Sequence, residues 1–100
     1  MDIISLTKDV EEVSKKYARK FGIKRDSQWF ILKLQEEMGE LIQSYLMMEG
    51  KGRKKGKTAE ELRKDFHKEI ADVFCHILLV AHSQNADLQK EVEKKWLIYK

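Results

Sequence analysis

Not one of the 100 residues is a proline, and apolar side chains recur at spacings of three and four along most of the chain. Proline removes a backbone donor and clashes with the preceding helical turn, so a chain without it can run long unbroken helices. An all-α fold is the expectation. The composition, 42% apolar and 37% charged, describes a globular chain rather than a disordered one. One domain spanning residues 1–100 is expected, and a lone protomer of that size leaves much apolar surface uncovered.

Val10, Val13, Tyr17 and Phe21 predict a first helix from near Ser5 or Thr7 to Phe21, stopped by Gly22 in a left-handed cap. Ser27 as N-cap opens a second, which carries Trp29, Leu34, Met38, Leu41 and Tyr45 to about Glu49. Gly39 within it costs roughly 1 kcal/mol against alanine, which predicts a close helix contact there. Thr58 and Glu61 in "TAEE" make a capping box for a third helix through Leu62, Phe66, Ile70, Phe74, Ile77 and Ala81 toward Ser83. Asn85 breaks the pattern, and a short fourth helix begins near Asp87 with Leu88, Val92, Trp96 and Tyr99. The second and third helices, with "WFILKL" and "VFCHILLVA", are apolar around much of their circumference, so each needs more than one neighbour. A second protomer packed across this central pair supplies one, giving a homodimer or a dimer of dimers, a homotetramer.

The net charge of +3 is too small to argue for binding duplex nucleic acid. Lys51, Arg53, Lys54, Lys55 and Lys57 crowd into "GKGRKKGK", which reads as a solvated loop ahead of a phosphate-contacting one. The N-terminus lacks the pattern of a signal peptide, and the apolar "VFCHILLVAHSQNA" holds two histidines and other polar residues; no membrane and a cytoplasmic location are expected. Cys75, the single cysteine, reads as a small buried hydrophobe.

Three carboxylates stand among the apolar residues of "LQEEMGELIQ", residues 34–43. With roughly 100° of rotation per residue and Met38 as the centre of the apolar face, Lys33, Glu37, Glu40 and Ser44 form one stripe at its edge. The same construction centred on Ile70 gives Asp65, Glu69, Asp72 and His76 a matching stripe on the third helix. Antiparallel packing of the two helices would gather Glu37, Glu40, Glu69 and Asp72. Four such groups cannot all stay ionised together without compensation. Magnesium, a hard cation that takes oxygen ligands, provides it, and manganese can substitute. Any single pair reads more simply as surface ion pairs with Lys33 and Lys68, but two pairs in matching positions favour the metal. Zinc would recruit cysteine or histidine, and only His76 is near.

"EEMGE" at Glu36 to Glu40 and "EIAD" at Glu69 to Asp72, with 28 residues between them, resemble the EExxE and ExxD motifs of MazG-type nucleotide pyrophosphohydrolases, in the all-α nucleoside triphosphate pyrophosphatase superfamily. The preceding "WFILKLQ", the charged loop and the closing "VEKKW" extend the likeness over nearly the whole chain. The resemblance implies a four-helix MazG-like bundle in which Glu37, Glu40, Glu69 and Asp72 bind magnesium. Glu36 would assist with the metal or orient the attacking water, and Glu36 or Glu37 would serve as general base. The reaction would release pyrophosphate from a nucleoside triphosphate and leave the monophosphate, a housekeeping activity on the nucleotide pool. Lys33 would reach substrate phosphate or pair with Glu37, and Lys94, ahead of Lys95, would supply a second phosphate contact. Trp29 would lie near the base or in the core. Asn85 would bond base or phosphate, or cap a helix. His76 would support Asp72 or be a buried, hydrogen-bonded histidine. Hydrolases of dUTP, dCTP, mixed nucleotides and phosphoribosyl-ATP resemble one another in these motifs, so the base is not specified. From another class, a noncatalytic helical module would use the acidic stripe for a basic partner or a structural ion.

Overall fold

The computed structural model describes residues 2–53 and 56–100, so Lys54 and Lys55 of the basic run lie outside the described residues. Helix α1 spans Ile3–Phe21, beginning earlier than Ser5 because the Asp2 carboxylate accepts the Ser5 N–H at 2.7 Å. Gly22 ends it at φ 64°, the left-handed conformation expected. Helix α2 spans Ser27–Met48, and its cap is Asp26 rather than Ser27: the Asp26 carboxylate accepts the Trp29 N–H at 2.8 Å. Helix α3 spans Ala59–Ser83 behind the expected capping box, in which Glu61 N–H donates to Thr58 Oγ1 at 3.1 Å and Thr58 N–H to Glu61 Oε1 at 2.9 Å. Asn85 turns the chain with φ 56°. Helix α4 covers only Leu88–Lys95 from its Asp87 cap, and Leu97–Tyr99 tighten into a 3₁₀ turn instead of continuing it.

Helices α2 and α3 pack antiparallel. The Tyr45 ring lies 5.6 Å from Phe66 near the connecting loop, while Glu37, further back along α2, meets His76, further on along α3. Phe30, Leu62, Val73, Leu78 and Leu79 fill the core, with Leu78 fully buried. Helix α1 is fastened across the pair by an ion network. Glu11 pairs with Arg25, the Arg25 guanidinium lies 4.9 Å from the centre of the Phe30 ring, and His82 Nε2 stands 3.1 Å from Glu11 Oε2.

The face of α2 that packs within the protomer is centred on Phe30, Glu37 and Ser44, seven residues apart, and not on Met38. Ile70 is likewise not the centre of the α3 face, since it is half exposed while Leu62 and Val73 are buried. Ile31, Met38, Ile42 and Tyr45 on α2 and Ile70, Phe74 and Ile77 on α3 are all exposed. On each helix they lie roughly 100° beyond the shared seam in the same rotational sense, which for antiparallel helices is the same side. They make one uncovered apolar face. Gly39 does not mark a close helix contact, because a Cβ there would meet nothing within 4 Å. From Gln89 to the last residue every side chain is exposed, Trp96 and Tyr99 included. No helix among the described residues is long and apolar enough to cross a membrane.

Candidate functional site

The rotation of α2 puts Glu37 in the seam rather than at its edge: the residue is 8% exposed. Its carboxylate there is within 3.8 Å of both Lys33 Nζ and His76 Nε2. Oxygens of Glu37, Glu40 and Glu69 all lie within 4.8 Å of one another, Glu40 at the exposed end and Glu69 half-buried. Asp72 stands outside this tight group, yet its charge acts on both Glu37 and Glu69. Burial, then the neighbouring Glu40 and Asp72, pushes the Glu37 carboxyl up to about 7. Burial, followed by Asp72 and Glu40, also raises Glu69. Glu37 Oε2 and Glu69 Oε2 are buried and find no hydrogen-bond partner among the described residues.

Compensation from the chain is sparse. Lys33 Nζ hydrogen-bonds Glu36 Oε1 at 3.4 Å and reaches Glu37 Oε1 at 3.8 Å, so the intrahelical pairing expected for Lys33 is present, shared with Glu36. His76 Nε2 is 3.8 Å from the same Glu37 oxygen, but burial and then Lys33 lower the imidazole's pKa, which favours the neutral ring. His76 Nδ1 is buried with no partner among the described residues, so that nitrogen lacks the hydrogen bond expected of a buried histidine. The basic loop does not compensate the cluster through Lys57, which pairs with Asp65 at 2.6 Å.

Glu37 and Asp72, but not Glu40 or Glu69, line a cavity of about 470 Å³ between α1, α2 and α3, within the range of small-molecule sites. Its lining mixes charged and polar groups, Asp9, Lys33, Glu37, Asp72 and His76, with the aromatic and apolar Tyr17, Trp29 and Leu79. Trp29 lines this cavity, half-buried and edge-on to Phe30 at 5.1 Å. Cys75 is half-buried and lines the cavity, its thiol held protonated by burial and then by Asp72. Glu36 is exposed, outside the cavity wall and held by Lys33.

Lys94 and Asn85 are not brought to this place. Lys94 pairs with Glu91 at 3.6 Å on the exposed α4, and Asn85 borders a separate cleft with Ile3, Leu78 and Leu88. Sequence reasoning missed the contribution of α1. Ser14, between Val13 and Tyr17, lines the cavity although it is 7% exposed. A serine in the middle of that apolar periodicity was the available signal. Comparison with protein-family models, with curated proteins and with solved structures finds no match to this chain.

Proposed function

We propose that the chain is a magnesium-dependent pyrophosphohydrolase of nucleoside triphosphates, a member of the MazG-type family its motifs resemble. The supporting observation is the convergence of Glu37, Glu40 and Glu69, with Glu37 also lining a ligand-sized cavity and two buried carboxylate oxygens left without partners among the described residues. An oxygen-only donor set with no thiolate and no imidazole in the tight group fits a hard cation, magnesium or manganese. Glu37, Glu40 and Glu69 would hold it, with Asp72 beside them. Such an ion supplies charge neutralisation for a polyphosphate and acidifies coordinated water.

The chain's own groups divide the remaining work. Lys33, on the cavity wall, binds phosphate oxygens. Glu37, which lines the cavity, or Glu36, held at its edge by Lys33, would accept a proton from water. Trp29, with the apolar wall of the cavity, excludes water and takes the base.

The uncovered apolar face of α2 and α3 supports the oligomer. A second copy laid across Ile31, Ile42, Ile70 and Phe74 completes a dimer, and repetition of that step elsewhere gives a dimer of dimers.

The test is pyrophosphate release with magnesium across ribo- and deoxyribonucleoside triphosphates, with phosphoribosyl-ATP as a further substrate. Release from at least one triphosphate, abolished by Glu40→Gln and by Asp72→Asn while helicity is kept, is the expected result. Folded protein that binds magnesium and releases nothing would reject the enzyme in favour of a noncatalytic module.

A further inference from the structure

The C-terminal arm is the part of the chain that the protomer leaves without a partner. Helix α4 packs mainly against the 3₁₀ turn that follows it, and every side chain from Gln89 to Lys100 is exposed. The molecule measures 44 × 42 × 24 Å, wider than three helices of about 10 Å laid side by side, so the arm projects. A helix of eight residues is marginal in water on its own. Yet the arm is apolar along one side. Leu88, Val92, Trp96 and Tyr99 recur at spacings of three and four, with Trp96 69% and Tyr99 83% exposed, and Leu97 and Ile98 add to the apolar tip. At the root of the arm lies a cleft of about 360 Å³ lined by Ile3, Ile4, Leu78 and Leu88.

We propose that the arm is a contact between copies of this chain: two arms run antiparallel about a two-fold axis at Val92, and the apolar tip of each covers the root cleft of the other. The arm is about 18 Å long, and a crossing at its middle sets tip beside root. Charge selects this direction. Glu91 and Lys95 flank the apolar stripe on one side, a helical turn apart. Antiparallel crossing sets Glu91 of each copy within about 3 Å of rise from Lys95 of the other, whereas parallel crossing opposes Glu91 to Glu91 and Lys95 to Lys95. An anionic membrane surface, the other use of an aromatic and basic tip, would meet the carboxylates of Glu91 and Glu93 and leave the clefts empty. Area sets the stoichiometry. The apolar side chains of one arm offer roughly 500 Å², so a reciprocal pair covers on the order of 1,000 Å², below the range of about 1,200 to 2,000 Å² for stable interfaces. Two pairs reach that range. They form when two dimers joined through their α2 and α3 faces meet, because the second pair closes within the assembly at high effective concentration. The tetramer thus rests on the dimer proposed above; the arm contact itself does not.

Light scattering at micromolar concentration and cysteine cross-linking test this on the full chain. Wild type should have the mass of a tetramer, and Trp96→Glu, at the exposed tip, that of a dimer with helicity unchanged by circular dichroism. In a Cys75→Ser background, Val92→Cys at the axis should form a disulfide between copies under mild oxidation, and Lys94→Cys on the opposite side of α4 should not. Glu91→Lys and Lys95→Glu should each weaken association of the dimers about tenfold, the scale of several exposed ion pairs, and the double variant should restore it. A Trp96→Glu protein that keeps the wild-type mass, or Val92→Cys copies that do not cross-link, would overturn the inference. Sedimentation with phosphatidylserine vesicles that is lost in Trp96→Glu, with the mass unchanged, would overturn it in favour of a membrane surface. A wild-type dimer that Ile42→Glu leaves intact and Trp96→Glu converts to monomer would reject the α2 and α3 interface and keep the arm contact.

Discussion

Replacing Glu37 by glutamine separates the electrostatic content of the cluster from its packing, because the two side chains are nearly isosteric. In the folded protein, burial and then Glu40 and Asp72 hold the Glu37 carboxyl at about 7, against an ordinary value of 4.5 in the open chain. Between those two values the native state binds the proton and the unfolded state does not, so stability falls as pH rises through the window. Each unit is worth about 1.4 kcal/mol; the full shift is about 3 kcal/mol, and relaxation around a group at the cavity wall brings the expected loss to about 1 to 3 kcal/mol. Glu37→Gln never ionises and does not suffer it. Urea unfolding of both proteins in EDTA, at equal protein concentration and at pH 5 and pH 8, is the assay. The variant should be close to wild type at pH 5 and more stable by about 1 to 3 kcal/mol at pH 8. In thermal melts each kcal/mol appears as about 4 to 8 °C. The difference between the proteins isolates Glu37 from His76, whose lowered pKa costs stability in the opposite direction, as pH falls below 6.5. Saturating magnesium at pH 8 should stabilise wild type and leave the variant largely unmoved. Parallel pH profiles for the two proteins in EDTA would refute the reasoning, because Glu37 would then titrate alike folded and unfolded.

Glu11→Gln leaves the half-buried Arg25 without its charge partner and should lower stability by about 2 to 4 kcal/mol, read as an earlier urea midpoint at unchanged slope. Gly39→Ala adds a methyl where nothing lies within 4 Å of its site. It should raise stability by about 0.5 to 1 kcal/mol through the helix backbone alone; destabilisation would show that a second copy packs against Gly39. Ile42→Glu puts a charge in the uncovered apolar face, and light scattering should show the oligomer reduced to monomer with helicity unchanged by circular dichroism. A wild-type protein already monomeric at micromolar concentration would remove the proposed interface.

Helix ends were legible because their chemistry is local. Gly22 and the Thr58–Glu61 box need only the backbone beside them; the earlier start of α1 and the move of the α2 cap from Ser27 follow from Asp2 and Asp26 accepting backbone N–H groups there. The matched spacing of Glu37–Glu40 and Glu69–Asp72 also showed in the sequence, since periodicity states which residues share a helical face. What periodicity does not state is which of two apolar faces turns inward. Helix α2 has one along Met38 and Ile42 and another along Phe30 and Leu41, and both satisfy the same spacing. The docking of α1, held by Glu11, Arg25 and His82 from three parts of the chain, covers one side and leaves the other open. That choice moves Glu37 from the rim into the seam, shifts its carboxyl toward neutrality and brings residues of α1 to the cavity that Glu37 lines. Local spacing and cap chemistry thus specified four helices, several of their ends and a paired set of acids, but not where the last helix stops. Burial, proton affinity and the shared cavity depend on groups far apart along the chain, and only tertiary packing decided them.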